Sequence, residues 1–99
     1  MKLLGHLAPV LHKGAADHRV VVEGHTDSVP IKGSMYPSNW ELSTARASAV
    51  VRALITMKLS PGRMEASGRA YLQPTASNTT PTGRAHNRRV EIVLPRRGS

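Results

Sequence analysis

The chain has 99 residues, of which 39% are apolar and only 3% are aromatic; it has no cysteine, and its formal net charge is +8. This length allows one small domain, and no run of 18 apolar residues is present to form a membrane-spanning helix. The lack of cysteine excludes disulfides, thiolate zinc sites and cysteine nucleophiles, whereas the positive charge favours an anionic partner such as nucleic acid, a membrane surface or an acidic polymer.

The first predicted element is a helix near the N-terminus. Its apolar residues recur at helical spacing and are Leu3, Leu4, Leu7, Val10 and Leu11. Gly14 follows and is a suitable helix end. His6 and Pro9 interrupt the apolar run, and no small-residue cleavage site follows it, so we interpret this segment as part of the domain rather than as a signal peptide.

A strand and a long helix come next. The β-branched run inside Arg19 to Glu23 predicts a strand that is buried on both faces or against helices. Ser28 to Pro37 reads as a loop. Ser38 followed three residues later by Glu41 is a capping box, so a helix begins there, and Pro61 and Gly62 close the connection that follows it. Its predicted apolar face consists of Leu42, Ala45, Ala49, Ala53, Leu54 and Met57.

The C-terminal third predicts two further strands, at Arg63 to Gly68 and at Arg88 to Leu94, separated by a loop at Gln73 to Gly83. The order is therefore helix, strand, helix, strand, strand. We predict an α/β (α+β) two-layer sandwich in which the helices pack on one face of a small mixed sheet. We expect residues 1–99 to form a single domain with its core at about 19–94, and 95–99, with Arg96 and Arg97, to form a solvated basic tail.

The order and spacing of the polar residues argue against an enzyme. His25, Asp27 and Ser28 stand almost in succession, whereas a catalytic triad needs the imidazole between the other two side chains in space. No glycine-flanked nucleophile and no phosphate-binding loop is present. The five histidines do not show a metal-ligand spacing, so we predict no metal and no cofactor, and we interpret His25 as a hydrogen-bonding residue at a strand end.

A polar group surrounds the first strand and the long helix. Asp27 follows the strand, Asn39 lies in the first helical turn, and Arg46 lies seven residues further on the same side. One interpretation is a structural ion pair between Asp27 and Arg46. The other is a recognition site in which the carboxylate binds an ammonium and the guanidinium binds a carboxylate, which suits a zwitterionic ligand such as an amino acid.

Three blocks of the sequence resemble the OmpA-like peptidoglycan-binding domain. They are Val-Glu-Gly-His-Thr-Asp at 22–27, Asn-Trp-Glu-Leu-Ser-x-x-Arg-Ala at 39–47, and Gly-Arg-x-x-Asn-Arg-Arg-Val-Glu-Ile at 83–92. The resemblance extends from about Arg19 to Leu94, and three blocks in order are far more specific than any one alone. The insertion between Asp27 and Asn39 and the Ser-Asn-Trp-Glu-Leu-Ser run resemble the periplasmic C-terminal domains of flagellar stator proteins of the MotB type.

The resemblance implies binding, without cleavage, of the peptidoglycan peptide stem through its diaminopimelate side chain. Asp27 would then bind the ammonium and Arg46 the carboxylate. Thr26 and Asn39 would line the site, and Asn87 and Arg88 would lie near the same cleft.

The resemblance also implies partners and a location. A domain of this type anchors a stator complex to the cell wall, forms a homodimer, and joins an ion-channel subunit through an upstream membrane segment that is absent from this chain. It lies on the periplasmic, cell-wall side, tethered to the inner membrane. The family begins with a strand before the first helix, and because Met1 stands almost in that helix, we expect the strand to be missing and one sheet edge to be open.

Two alternatives stay open. The charge also fits a small nucleic-acid-binding domain, although stacking aromatics are limited to Trp40, Tyr36 and Tyr71, so we expect no nucleic acid. The other alternative is an OmpA-like wall anchor of an outer-membrane porin or lipoprotein.

Overall fold

The computed structural model describes residues 19–31 and 35–95. The predicted first helix, the expected loss of the first family strand and the basic residues 96–99 lie outside this part. The described elements are strand β1 (Val20–His25), helix α1 (Asn39–Thr56), a short 3-10 turn (Pro61–Arg63), strand β2 (Met64–Gly68), helix α2 (Pro81–Asn87) and strand β3 (Arg89–Val93).

The three strands form one mixed sheet in the order β2-β1-β3. β1 pairs in parallel with β2, from Val20 opposite Met64 to Gly24 opposite Gly68. It pairs antiparallel with β3, and this register places His25 opposite Arg89. The predicted two-layer arrangement on a small mixed sheet is confirmed.

Helix α2 was not predicted: it begins within the last three residues of the predicted loop at Gln73 to Gly83 and extends beyond that loop to Asn87. The Thr80 side chain caps it by accepting a hydrogen bond from the backbone N–H of Gly83, and Pro81 occupies its first turn. Proline fits there because that position has no intrahelical acceptor for an N–H. With only seven residues, this helix is too short to show an apolar period in the sequence.

The core lies between the sheet and α1. Val20 and Val22 are fully buried against the helix, whereas Val21, on the opposite face, is half-buried. The strand is therefore buried against a helix and not equally on both faces. The other buried apolar residues of this cluster are Ala47, Val50, Leu54 and Leu59.

The buried side of α1 differs from the predicted one. Of the six residues in the predicted apolar face, only Leu54 is fully buried; the buried stripe also contains Ser43, Ala47 and Val50. The cause is a close approach of helix and strand at Gly24. A Cβ at Gly24 would lie 2.1 Å from the Ser43 carbonyl oxygen. The two backbones are therefore so close at this point that the helix faces the sheet with small side chains.

Both ends of α1 are capped by recognisable motifs. Ser38 is the N-cap, as predicted: its hydroxyl oxygen accepts from the backbone N–H of Trp40, and its O–H donates to the Glu41 carboxylate. At the other end Lys58 adopts a positive φ of 75°. The N–H groups of Lys58 and Leu59 donate to the carbonyls of Ile55 and Leu54, which is the Schellman pattern.

Within residues 19–31 and 35–95, no helix combines the length and the apolar character needed to cross a membrane.

Candidate ligand-binding site

Asp27 lies directly beyond the end of β1, at the point where the chain leaves the sheet. Its Oδ1 accepts a hydrogen bond from the backbone N–H of Val29 at 3.0 Å, and its Oδ2 accepts from Arg88 Nη1 at 2.7 Å. The Asp27 side chain retains 12% exposure, and that of Arg88 retains 45%. The carboxylate is therefore held in one orientation while part of it still faces solvent.

Two predicted site residues support this turn from within. The Thr26 hydroxyl donates to the Asp27 carbonyl at 2.8 Å. The Asn39 Nδ2 donates to the Val29 carbonyl at 3.1 Å and lies 3.5 Å from the Asp27 carbonyl. Both side chains are buried, and the Asn39 Oδ1 has no hydrogen-bond partner. Asn39 thus connects the start of α1 to the Asp27 turn.

The turn is also attached to the end of β2. The Thr26 N–H donates to the Ala70 carbonyl at 2.8 Å, and the Ala70 N–H donates to the Ser43 hydroxyl at 3.1 Å. Ala70 has a positive φ of 53°, an unusual conformation for a residue with a Cβ. Ser43 belongs to the second sequence block, and its role in joining helix and sheet was not predicted.

Asn87 lies behind the site and is fully buried. Its Oδ1 accepts from the N–H groups of Thr75 and Ala76, and its Nδ2 donates to the Ala76 carbonyl and to Asn78 Oδ1. Asn78 Oδ1 also accepts from the Ser28 N–H at 3.3 Å. In this conformation Asn87 therefore shapes the loop beside the site, and it has no surface with which to contact a ligand.

Arg46 lies on the exposed side of α1, and within the described residues its guanidinium has no ion pair or hydrogen bond. The interpretation of Asp27 and Arg46 as a structural ion pair is wrong, because the arginine bound to Asp27 is Arg88. Arg46 remains available to bind an anionic group.

A pocket of about 430 Å³ lies beside the Asp27 turn. Trp40 and Tyr71, with 48% and 45% of their surfaces exposed, contribute the aromatic part of its wall. Its described lining residues are Ser28, Pro30, Ile31, Pro37, Ser38, Asn39, Trp40 and Tyr71. The sequence did not predict this pocket, because Tyr71 comes from a loop that no motif connects to the start of α1.

On the face of the sheet opposite α1, His25 lies between Glu23 and Glu91. Burial lowers the pKa of His25, and the positive charge of Arg89 lowers it further; the two carboxylates act in the opposite direction. Neither ring nitrogen of His25 makes a hydrogen bond of normal geometry, and Nε2 lies 3.5 Å from Glu23 Oε1, so the predicted hydrogen-bonding role at the strand end is limited to this long contact.

Comparison with known proteins identifies the family. The model of the OmpA family matches residues 1–88, which is most of this chain and includes Asp27, Asn39 and Arg46. The chain belongs to the OmpA family.

Two relatives of this OmpA-family chain are similar over most of its length. Motility protein B of Bacillus subtilis strain 168 is 43% identical over 81 residues, which are 81% of this chain and 31% of that protein. Peptidoglycan-binding protein ArfA of Mycobacterium tuberculosis is 38% identical over 93 residues, which are 94% of this chain and 27% of ArfA. The chain thus spans less than a third of the length of these relatives.

Solved structures confirm the OmpA-like fold. The C-terminal domain of Helicobacter pylori MotB superposes with a TM-score of 0.90 at 28% identity, covering 95% of this chain and 71% of that one. The cell wall anchor of the T6SS from Pseudomonas aeruginosa gives a TM-score of 0.83 at 44% identity, covering 94% of this chain and 64% of that one.

Proposed function

We propose that this OmpA-family domain binds peptidoglycan and anchors the protein that contains it to the cell wall, without catalysis. The names of two similar proteins, a peptidoglycan-binding protein and a cell wall anchor, support this function. The observation that carries the proposal is the Asp27 carboxylate, fixed at the end of β1 and still partly exposed.

The proposed ligand is the diaminopimelate side chain of the peptide stem, which carries an ammonium and a carboxylate. Two hydrogen bonds occupy part of the Asp27 carboxylate, and a carboxylate offers about four acceptor positions, so an ammonium still finds acceptors there. Arg46, with no described partner, binds the ligand carboxylate, and the half-exposed Arg88 adds a second positive group next to Asp27. Thr26, Asn39 and Asn87 hold the turn and the adjoining loop in place.

The test of this ligand is a titration with a soluble stem peptide that ends in diaminopimelate, followed by NMR or calorimetry. A matched peptide with lysine lacks the second carboxylate. We expect Arg46→Ala to weaken binding of the diaminopimelate peptide about tenfold or more, to the level of the lysine peptide, since a charged hydrogen bond contributes about 1.5–3 kcal/mol. Arg52→Ala, which changes another exposed arginine of α1, is the control and should bind as wild type does. Equal affinity of wild type for both peptides would contradict the assignment of Arg46.

The similarity to Motility protein B and to the MotB domain supports a more specific proposal, in which the anchored assembly is a flagellar stator. In that case the domain lies on the periplasmic side, forms a homodimer, and is joined through an upstream membrane segment to an ion-channel subunit. Sedimentation equilibrium tests the dimer: a molar mass of one chain at micromolar concentration would contradict it for these 99 residues.

A further inference from the structure

The sheet face opposite α1 carries three side chains with metal-ligand chemistry. His25 Nε2 lies 3.5 Å from Glu23 Oε1 and 4.0 Å from Glu91 Oε2, and one donor atom from each residue lies within 4.8 Å of the others. The three side chains share this face because β1 and β3 place Glu23 opposite Glu91, and because residues two apart in a strand project to the same side.

The imidazole of His25 indicates that this cluster is more than a group of surface charges. Its side chain is only 1% exposed, and neither ring nitrogen has a hydrogen-bond partner. A buried polar atom without a partner is costly, and native structures contain few of them. If the Nε2 of the neutral ring carries its lone pair, that lone pair faces two carboxylate oxygens. A cation bound by Nε2 and the two carboxylate oxygens would give Nε2 a partner and leave Nδ1 as it is.

We infer that Glu23, His25 and Glu91 form a binding site for a divalent transition-metal cation such as Zn²⁺. One imidazole with two carboxylates is a ligand set that zinc accepts, whereas Mg²⁺ and Ca²⁺ prefer oxygen ligands alone. Tetrahedral bonds of zinc place neighbouring ligand atoms about 3.4 Å apart. The separation of His25 Nε2 from Glu23 is already close to this value, and Glu91, 4.0 Å from Nε2, has to move closer to the other two ligands.

Two arginines compete with the cation for the carboxylates. Arg69 Nη2 binds Glu23 Oε2 at 2.9 Å and leaves Oε1 directed at His25. Arg89 Nε contacts Glu91 Oε2, the same oxygen that faces His25. A metal must therefore displace Arg89 from Glu91, although Arg89 keeps hydrogen bonds to two backbone carbonyls. Removal of Arg89 is expected to tighten metal binding.

The bound cation would tie the C-terminal end of β1 to β3. His25 is followed directly by Thr26 and Asp27, so the cation would also stiffen the strand end from which the Asp27 turn begins. This inference does not depend on binding to the cell wall, because the three ligands lie on the other face of the sheet from α1.

The experiment is thermal unfolding and calorimetry of the whole chain with ZnCl₂, with MgCl₂ as the comparison. We expect one equivalent of zinc to bind and to raise the unfolding midpoint by roughly 5–10 °C at saturating concentration, and magnesium to have no effect. Glu91→Gln, at a half-exposed position, should lower zinc affinity by about tenfold or more. Arg89→Gln should raise zinc affinity about fivefold, because it removes the ion pair that competes for Glu91.

The control is His86→Gln, which removes an exposed histidine from α2 and should leave zinc binding unchanged. His25→Gln should abolish the zinc response, and circular dichroism shows whether that variant is folded. A zinc response of the same size in wild type and Glu91→Gln, or the lack of any response in wild type, would overturn the inference.

Discussion

Arg88 Nη1 lies 2.7 Å from Asp27 Oδ2, although 61 residues separate the two in the sequence. The antiparallel pairing of β1 and β3 allows this contact, since it places His25 opposite Arg89. Arg88, which precedes Arg89, and Asp27, two residues beyond His25, therefore lie at the same end of the strand pair. The site therefore contains a carboxylate whose charge is balanced before any ligand arrives. A zwitterionic ligand fits such a site because it adds one charge of each sign.

The buried amide of Asn87 leads to a prediction about stability. Asn87→Ala removes hydrogen bonds to Thr75, Ala76 and Asn78 and leaves partly buried backbone groups without these partners. We expect the free energy of unfolding to fall by about 2–4 kcal/mol, measured by urea denaturation. Thr82→Ala, at an exposed position of the same helix, is the control and should change it by less than about 0.5 kcal/mol. An unchanged free energy of unfolding in Asn87→Ala would show that the loop does not need this amide.

The contact between β1 and α1 at Gly24 allows no side chain. A Cβ there would lie 2.1 Å from the Ser43 carbonyl oxygen, so Gly24→Ala has to push the helix away from the sheet. We expect a loss of about 2–4 kcal/mol in stability or a failure to fold. Gly62→Ala is the matched control, since its nearest new neighbour would be the Ser60 hydroxyl at 4.0 Å. Similar melting midpoints for both variants would contradict the described packing.

Lys58 offers a stabilising substitution. Its φ of 75° is strained for a residue with a Cβ but ordinary for glycine, and it occupies the left-handed position of the Schellman motif. We expect Lys58→Gly to raise the free energy of unfolding by about 0.5–1 kcal/mol. Lys58→Ala, which removes the charge but keeps the Cβ, should give no such gain. If both variants had the same free energy of unfolding in chemical denaturation, relief of the strained backbone at Lys58 would not be the cause of a gain in stability.

The helix cap predicts a dependence on pH. The hydrogen bond from the Ser38 hydroxyl lowers the pKa of Glu41 below its ordinary value of 4.5. The charged carboxylate therefore adds stability that is fully present above pH 4.5 and is lost as the pH falls through the lower pKa of the folded state. Thermal unfolding of wild type and Glu41→Gln should differ at neutral pH and converge in acid. If wild type and Glu41→Gln still differed in unfolding midpoint at a pH below the pKa of Glu41 in the folded state, the charge of this carboxylate would not be the source of the difference.

The local signals in the sequence predicted much of the fold. Three such signals depend only on neighbouring residues: the Val20 to Val22 run, the capping box at Ser38 and Glu41, and the alternation at Val90 and Ile92. The element that each of them predicts was found near its predicted position. The turn at Asp27 was predicted for the same reason, because it follows directly from the end of a strand.

The features that were missed depend on contacts between distant segments. The buried side of α1 is set by Gly24 and Ser43, which no periodicity reveals. The partner of Asp27 and the buried position of Asn87 follow from the pairing of β1 with β3 and from the folded 75–78 loop. Sequence blocks showed that these residues belong together and did not show which of them contact each other.

The measurement that tests the central proposal most directly is co-sedimentation of the domain with purified diaminopimelate-type peptidoglycan. Wild type, Asp27→Ala and the control Arg52→Ala would be compared at low and at moderate salt. Wild type and the control should sediment with the wall at both salt concentrations, and Asp27→Ala should stay in the supernatant while keeping its circular dichroism spectrum. Binding that disappears at moderate salt and is the same in all three proteins would contradict the account, because it would come from the basic surface rather than from the Asp27 site.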